Sequence, residues 1–445
     1  MTKLTVMTCD AHAGAPTVQY RDYLPAQFHS ELDDYLKERA SARAAGKAGL
    51  TSNGRVFAGT LRHSFVEAFL AEEEVVPGGP VGAWDFDVRR KELEGDGVVA
   101  EVIFAGPANL DVEATIPFQG PAFFGDHYTA DRGFEAMWAG ARAYNRWLAE
   151  RFDPSRQVAL ALIPSVKDLQ QVTSELKWAA SRGFRGFLLW PAEAGIPRLY
   201  DDRYDVIWSL ASDLGLILHF HGAVGQDLHP PSTSAAATVC FTLETPFSSY
   251  RPLWYLTFGG VFERYPDLQV VFTEQFIGWV PGLIDTMDVR YEDNWTIFQD
   301  LLPRRPSEYW YRQCHLGASF ISRPELSLLD AVGPGHVMFG NDYPHVEGTW
   351  PRTKTQYLHE VFAGAARDTI EAVCGGNAMT LYGMDTARLG AIAEAVGPDL
   401  EAIIAGKPSP AESYKVDRTA SRAGRPVSYV MGAPSRTVSA GPGAA

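Results

Sequence analysis

The sequence predicts a closed (β/α)8 barrel, the TIM-barrel fold, with a long insertion after the first strand and a C-terminal extension. From about residue 155 onward, short apolar runs alternate with helical patterns, as they do in parallel βαβ units. Such runs number eight in all, which favours a closed barrel over an open sheet. Four of the runs are followed by a residue type that can bind a metal ion, always at the carboxyl end of the strand, where barrel enzymes carry their sites.

Eight apolar runs are predicted as strands. The first lies at the N-terminus, and the second follows an insertion over residues 13–98, which is far longer than an ordinary βα connection. The remaining six follow at regular spacing. The runs are Leu4–Cys9, Val99–Phe104, Val158–Ile163, Gly186–Trp190, Leu214–Leu218, Leu268–Thr273, Gln313–Gly317 and His336–Gly340.

Helical patterns separate these strands, and the insertion contains a polar helix of its own. Past Tyr382 the strand periodicity is lost, so we expect residues 1–384 to form the barrel and residues 385–445 a C-terminal helix and a flexible arm. Alternatively, the apolar segment Val427–Met431 packs on a neighbouring subunit. The predicted helices are Ser30–Ala45, Val166–Ser181, Arg203–Leu214, Pro252–Arg264, Gly278–Tyr291, Arg323–Ala331 and Thr386–Ala405.

The composition is that of a soluble globular chain. Its 445 residues are 46% hydrophobic and 21% charged, with a formal net charge of −15. An acidic chain without basic clusters argues against nucleic acid as a partner, so we expect a small-molecule ligand. The four cysteines lack CxxC spacing, and no apolar run is long enough for a signal peptide or a membrane span. We therefore expect a cytoplasmic protein.

The candidate site begins with two pairs of residues. Asp10 and His12 are two apart on an extended segment, so both can point to one face and bind one ion. By itself this pair is more often a capping carboxylate followed by a solvated histidine. His219 and His221 repeat the spacing after the fifth strand. We expect His221 to be a ligand, and His219 either to orient a neighbour or to be hydrogen-bonded in the barrel lining.

Two further carboxylates follow strands six and eight. Asp342 precedes Tyr343-Pro344, and the rigid turn suits a metal ligand or a general acid or base, although such turns are also common without function. Glu274 is either a direct ligand or a carboxylate that orients a ligand histidine. The predicted metal ligands are Asp10, His12, His221 and Asp342, and the predicted catalytic residues are Asp342, Glu274 and His219.

These donors suit one divalent ion. Two imidazoles and two carboxylates form a borderline-hard set that favours Zn²⁺, with Mn²⁺ as the alternative. Other polar and aromatic residues could line the site, but each is equally well explained by packing or by surface exposure. They are His315, His345, Glu347, Arg62-His63 and Arg142, and the aromatic residues Trp190, Phe220, Phe276, Trp279 and Tyr343.

Over residues 4–384 the sequence resembles the amidohydrolase superfamily, and within it the amidohydrolase-related branch that includes aminocarboxymuconate-semialdehyde decarboxylase and γ-resorcylate decarboxylase. The resemblance implies a metal-dependent barrel enzyme that acts on a small carboxylate. Gly186–Trp190 offers no lysine of the kind that bridges two metals in binuclear members, so a single ion is expected. The matching segments are Asp10-Ala-His12, His221-Gly222, Tyr265–Phe272, Trp279–Pro281, Phe339–His345 and Gly375–Gly383.

Two positions depart from this pattern. Asp10 stands where the branch has His or Glu, and Glu274 stands where the two decarboxylases have His. A carboxylate at residue 274 cannot act as an imidazolium acid without an altered pKa. The mechanism of the relatives therefore does not transfer intact.

Three functions remain open at this point. The first is non-oxidative decarboxylation of a small aromatic or unsaturated carboxylic acid, with Asp342 as the acid or base. The second is hydrolysis of a C–N or C–C bond by a metal-activated water. The third is a catalytically silent binding barrel. We expect a homodimer in each case.

Overall fold

The fold is a parallel barrel. The computed structural model describes residues 2–44, 81–106, 132–189, 196–222, 247, 249–319, 321–345 and 348–406. Within them, eight strands pair in parallel in the order of the sequence. The strands are β1 Val6–Ala13, β2 Val98–Ala105, β3 Gln157–Ile163, β4 Gly186–Leu189, β5 Ile217–His221, β6 Val270–Thr273, β7 Cys314–Ala318 and β8 Val337–Phe339.

The chain just past β8 closes the barrel against β1. The N–H of Asp342 donates to the carbonyl of Asp10 at 2.9 Å, and the N–H of His12 donates to the carbonyl of Tyr343 at 2.6 Å. The predicted (β/α)8 barrel is therefore confirmed. The same bonds hold the carboxyl ends of β1 and β8 side by side, so the polar residues that follow these strands are neighbours.

The strands are apolar because both of their faces are covered. Every residue of β2 and β3 is buried, as expected for a parallel sheet enclosed by helices. On the outside, the helix Gly133–Ala149 packs against β3 and buries Trp138 and Trp147 completely. The core therefore lies both inside the barrel and between the barrel and its helices.

Local signals in the sequence set several helix ends. Asp85 and Asp168 each accept hydrogen bonds from backbone N–H groups in the first turn of a helix. Gly215, with φ +63°, ends another. The α-helices are His29–Ala44, Phe86–Gly95, Gly133–Ala149, Leu169–Ser181, Asp205–Leu214, 249–258, Val261–Arg264, Trp279–Asp293, Trp295–Phe298, Pro306–Gln313, Leu329–Val332, Leu358–Phe362, Arg367–Glu371, Asn377–Leu381, Thr386–Val396 and Leu400–Ile404.

Two predicted helices are interrupted, and a third begins in a different helical form. The helix predicted over Thr386–Ala405 is two helices separated at Gly397-Pro398, because proline restricts the residue before it and cannot donate a backbone hydrogen bond. The one predicted over Pro252–Arg264 breaks near Gly260, where φ is +69°. The one predicted over Arg323–Ala331 begins as a 3₁₀ turn.

The described part of the insertion after β1 contains two helices. The predicted helix Ser30–Ala45 is confirmed as His29–Ala44. The second helix, Phe86–Gly95, was not predicted, and it leads directly into β2. Its Arg89 is fully buried, so this helix reaches the interior of the protein.

The C-terminal extension begins as part of the barrel. The N–H of Leu4 donates to the carbonyl of Pro398 at 3.0 Å, and the N–H of Leu400 donates to the carbonyl of Thr2 at 3.1 Å. The two C-terminal helices therefore cover the amino end of β1. The predicted flexible arm, including Val427–Met431, lies outside the described residues. Among the described residues, no helix combines the length and the apolarity that crossing a bilayer requires.

Candidate metal centre

The site begins at the carboxyl end of β1, where Asp10 and His12 are both buried. Nε2 of His12 lies 3.4 Å from Oδ1 of Asp10. Gly106, just past β2, leaves room for the His12 ring, because a Cβ at this position would lie 2.5 Å from Nδ1 of His12. The pair predicted from its spacing therefore converges on one region.

His221, the last residue of β5, joins this pair. Its Nε2 lies 3.1 Å from Oδ1 of Asp10, while its Nδ1 lies 3.0 Å from the carbonyl oxygen of Gly222 and 3.4 Å from Oε2 of Glu274. Because carbonyl and carboxylate oxygens only accept, both ring nitrogens of His221 carry hydrogens when no cation is bound, and a bound cation would replace the hydrogen on Nε2. This is the orientation in which a histidine binds metal through Nε2 while its other nitrogen is held by the protein.

Asp342 enters from β8 on a backbone that L-residues rarely adopt. Its φ is +53°, and Glu274 after β6 has φ +58°; they are the only non-glycine residues with positive φ in the described part of the chain. Such conformations cost about 1–3 kcal/mol and cluster at functional sites. The turn at Asp342 brings its Oδ1 within 3.3 Å of Nε2 of His12.

His345 completes the cluster from the same turn. Its Nδ1 lies 2.8 Å from Oδ1 of Asp342, and its ring stacks on that of His12 with centroids 4.0 Å apart. The donor atoms form two close groups that share His12: Asp10, His12 and His221 in one, and His12, Asp342 and His345 in the other. The four predicted ligands are thus brought together, with His345 as an additional neighbour.

The residues fit a divalent ion. Donor atoms bound at about 2.1 Å to one ion lie roughly 3.0–3.4 Å apart, and the separations above run from 2.8 to 3.4 Å. Neither ring nitrogen of His12 and neither carboxylate oxygen of Asp342 makes a hydrogen bond with any described residue, although all are buried. Buried polar atoms of native proteins are normally satisfied. A bound cation would satisfy Nε2 of His12 and the Asp342 carboxylate.

The buried groups shift one another's pKa values. Burial acts to raise the pKa of Asp10, but His221 and His12 outweigh it and hold that pKa well below its ordinary range. Burial, and next the neighbouring His345, lower the pKa of His12. Burial acts to lower the pKa of His221, but Asp10 and Glu274 raise it to about 9. The carboxylates therefore favour positive charge at this point of the barrel.

Ser319, which directly follows β7, was missed in the sequence. Its hydroxyl donates a short hydrogen bond to Oδ2 of Asp10, which leaves Oδ1 to face the two histidines. The available signal was its position, since it follows a strand in the same way as the predicted residues do. Its role is to fix the orientation of the Asp10 carboxylate.

His219 lies two residues before His221 and is also fully buried. Its Nε2 lies 3.3 Å from the hydroxyl of Tyr382, and its ring stacks on the Tyr382 ring. Burial lowers the pKa of His219 to about 3, so the imidazole is neutral near pH 7. These contacts favour the barrel-lining interpretation of His219 over a catalytic one.

Arg89 supports the site from the insertion helix. It is buried and pairs with Glu101, with Nε 2.9 Å from both carboxylate oxygens. Its Nη1 donates to the carbonyl of His12 at 2.7 Å, and its guanidinium lies over the Tyr343 ring at 4.8 Å. The Arg89 guanidinium therefore holds His12, at the end of β1, next to Tyr343, which follows β8. No sequence signal marks Arg89, because a cation on an amphipathic helix resembles an exposed residue.

The weaker candidates among the described residues have packing or surface positions. His315 lies at the amino end of β7, where its Nε2 is 3.0 Å from the amide oxygen of Gln269. Arg142 lies over the ring of Trp138 on the outer helix and bonds to Gln171. Both positions match the packing or surface interpretation. Arg62-His63, Glu347 and Trp190 lie outside the described residues.

Most of the predicted aromatic lining is core. Phe220 stacks on Phe272, and Trp279 stacks on Tyr250 with centroids 4.4 Å apart. Among the described residues, an aromatic ring beside the donors is that of Phe104 in β2, whose centroid lies 4.6 Å from that of His221. It was not singled out in the sequence because it lies within an apolar strand.

Comparison with known proteins identifies the family of this chain. A sequence model described as Amidohydrolase matches residues 111–384. The chain belongs to the amidohydrolase family. The resemblance deduced from the sequence motifs is therefore confirmed. No curated protein matches this amidohydrolase significantly in sequence.

Solved structures share the fold of this amidohydrolase at low identity. An amidohydrolase from Mycobacterium avium subsp. paratuberculosis is 17% identical, with a TM-score of 0.59 over 86% of this chain and 99% of its own. The 5-carboxyvanillate decarboxylase of Sphingomonas paucimobilis is 18% identical, with a TM-score of 0.54 over 86% and 100%. That of Novosphingobium aromaticivorans, solved as a variant with bound manganese, is 15% identical, with a TM-score of 0.57 over 85% and 97%.

Proposed function

We propose that this amidohydrolase is a metal-dependent decarboxylase that removes CO₂, without oxidation, from a small aromatic or unsaturated carboxylic acid. The observation that carries the proposal is the Asp342 carboxylate, which is buried beside His12 with neither oxygen hydrogen-bonded to a described residue. Family membership and the likeness to two carboxyvanillate decarboxylases support it.

The ligands we propose are the predicted ones, Asp10, His12, His221 and Asp342. The ion would supply Lewis acidity that holds the carboxylate and the adjacent oxygen of the substrate. We propose one ion per chain, either Zn²⁺ or Mn²⁺. The donor set suits both, and manganese is bound in two of the similar decarboxylase structures.

Asp342 is the proposed proton donor. Its Oδ1 faces His12 and His345, so Oδ2 would carry the proton. The proton passes to the substrate carbon that bears the carboxylate. A C–H bond forms, the C–C bond to the carboxylate breaks, and its electron pair returns to the unsaturated system as CO₂ leaves. The balance is one substrate anion and one proton to one product and CO₂, with Asp342 left as a carboxylate.

Glu274 and Phe104 take supporting roles in this proposal. Oε2 of Glu274 lies 3.4 Å from Nδ1 of His221, so it orients that imidazole and adds negative charge behind it. Phe104 presents an apolar ring beside His221. An apolar wall next to charged donors suits a planar carboxylate, whose ring packs on the wall while its oxygens reach the donors.

The reaction can be tested with isotopes. Metal-loaded protein is incubated in H₂¹⁸O with hydroxybenzoates and, separately, with lactone and amide substrates. We expect CO₂ release and a product that contains a new C–H bond and no ¹⁸O. Incorporation of ¹⁸O into the product would replace decarboxylation by hydrolysis. Turnover should be lost in Asp342→Asn and kept in Asp330→Asn, which makes the same change at an exposed position.

We also propose a homodimeric, cytoplasmic protein. The long insertion supports assembly contacts, and the described cysteines Cys9, Cys314 and Cys374 are free thiols, as is usual in a reducing compartment. Light scattering after gel filtration should give twice the mass of the chain, 48.9 kDa. A monomeric mass would refute the dimer without affecting the proposed reaction.

A further inference from the structure

We infer that His345 is a further ligand of the metal ion, through its Nδ1. This inference rests on the metal ion of the proposed function and adds a third imidazole to its ligands. His345 follows Asp342 by three residues, in the turn that closes the barrel against β1. Its side chain is 13% exposed, whereas that of His12 is 5% exposed. It therefore lies at the outer side of the cluster and is still largely shielded from water.

The ring nitrogens of His12 and His345 converge on one carboxylate oxygen. Nε2 of His12 and Nδ1 of His345 approach the same atom, Oδ1 of Asp342, at 3.3 and 2.8 Å. The two rings are nearly parallel, with an interplanar angle of 25° and centroids 4.0 Å apart. Donor atoms of His12, Asp342 and His345, one from each, lie within 4.8 Å of one another, close enough to bind one ion. Neutral imidazole is also the form in which histidine binds metal.

The contact between His345 and Asp342 is not aligned as a hydrogen bond. Although Nδ1 of His345 comes within 2.8 Å of Oδ1 of Asp342, neither oxygen of Asp342 accepts a hydrogen bond from a described residue. The distance is that of a hydrogen bond, but the direction is not. Two donor atoms that lie close without pointing at each other are arranged as neighbouring ligands of a third atom. Their separation of 2.8 Å is slightly shorter than the roughly 3.0 Å between adjacent donors that would bind one ion at about 2.1 Å.

The resulting ligand set would be Asp10, His12, His221, Asp342 and His345. Two carboxylates and three imidazoles would supply five donors, so an ion that takes six donors would bind one oxygen of the substrate directly instead of two. Replacement of the ligand at the sixth position by the substrate oxygen would then control substrate binding. The alternative is that His345 only orients Asp342 by a hydrogen bond, as a positioning residue.

Pulsed EPR of the Mn²⁺ form of the full chain, labelled with ¹⁵N-histidine, counts the coordinated imidazoles. We expect three in the unaltered protein, two in His345→Ala, and three in His336→Ala, the control. His336 lies at the amino end of β8 and contacts the carbonyl of Cys314. The Mn²⁺ affinity of His345→Ala should fall by at least about tenfold.

A second variant separates ligation from positioning. His345→Gln retains an amide that can hydrogen-bond to Asp342, so a positioning role would preserve Mn²⁺ affinity, whereas loss of a ligand would lower it as in His345→Ala. Two imidazoles in the unaltered protein, unchanged in either variant, would overturn the inference and leave the proposed function intact. If the unaltered protein binds no Mn²⁺ and no Zn²⁺, both the inference and the proposed function fail.

Discussion

Buried polar side chains are hydrogen-bonded differently at the two ends of the barrel. At the amino end, His315 and His336 each place a ring nitrogen within 3.0 Å of a protein oxygen. At the carboxyl end, the ring nitrogens of His12 and the carboxylate oxygens of Asp342 make no hydrogen bond with described residues. Leaving a buried polar group unsatisfied costs about 1–3 kcal/mol. Nδ1 of His315 and Oδ2 of Asp96, at the amino end, also lack a partner among the described residues. At the carboxyl end, however, such atoms of His12 and Asp342 lie within 3.3 Å of each other, where one ligand could satisfy both.

Two buried aspartates show the same contrast in charge. Asp96 precedes β2 at the amino end, and burial raises its pKa to about 7 despite hydrogen bonds from Thr353 and Lys354. Asp10, at the carboxyl end of β1, has its pKa held low by two imidazoles in spite of burial. The barrel therefore stabilises a neutral carboxyl group at one end and a carboxylate at the other, where a cation is to bind.

The largest expected effect comes from removing the carboxylate of Asp342. Asp342→Asn keeps the size of the side chain but cannot carry the transferred proton, so kcat should fall by at least about 10³-fold. The left-handed backbone also tolerates asparagine, so the melting temperature should stay near that of the unaltered protein. Steady-state kinetics and thermal unfolding measure both. Undiminished kcat would remove Asp342 from the mechanism.

The next effect concerns the brace between the ends of β1 and β8. Arg89→Met leaves the buried Glu101 unpaired, which should lower the free energy of unfolding by about 3–5 kcal/mol. The double variant Arg89→Met, Glu101→Leu should recover much of that stability. Metal affinity should remain lowered in both, because the carbonyl of His12 has lost its donor. Urea unfolding and metal competition assays distinguish the two effects.

Should metal affinity recover together with stability in the double variant, Arg89 has only a structural role. In that case the insertion helix does not position the ligands of the carboxyl end.

A smaller effect is expected on the pH dependence of the free energy of unfolding, through Asp96. Because its pKa is raised in the folded chain from 3.8 to about 7, the folded state binds this proton more tightly than the unfolded state. Its contribution to stability is therefore largest below pH 4 and declines as the pH rises to about 7. Relative to Asp96→Asn, the unaltered protein should lose about 3 kcal/mol across this window. A difference that does not vary with pH would contradict the assignment.

The smallest effect is expected at His315. Replacing it with glutamine at the amino end removes or lengthens one hydrogen bond to Gln269, which should lower the free energy of unfolding by about 1 kcal/mol. Both kcat and metal affinity should stay within about twofold of the unaltered values. A large loss of metal affinity would break the distinction between the two ends.

The sequence predicted the elements that obey a strong periodicity. All eight apolar runs became strands because a parallel barrel buries both faces, and β3, for instance, differs from its predicted bounds by one residue. The helix Phe86–Gly95 escaped prediction because it is short and largely polar. The interruption at Gly397-Pro398 was overlooked although proline signals it.

The site was predictable where residues follow strands directly. Asp10, His12, His221 and Asp342 were found by their position after apolar runs, and the barrel brings them together. Arg89 and Ser319 were not found, because their roles depend on contacts with residues distant in sequence. His345 was noticed but not distinguished from a surface residue, since its stacking on His12 arises only when the turn after β8 folds against β1.

The central claim is that the carboxyl end of the barrel binds one divalent ion through residues that include His12. The most direct measurement is the metal content of purified protein after loading with Zn²⁺ or Mn²⁺ and gel filtration, made on the unaltered chain, on His12→Ala and on His336→Ala. We predict one ion per chain in the unaltered protein and in His336→Ala. In His12→Ala we predict less than a tenth of that content, because losing a ligand should lower the metal affinity about tenfold or more. Full metal content in His12→Ala, or none in the unaltered chain, would contradict the claim.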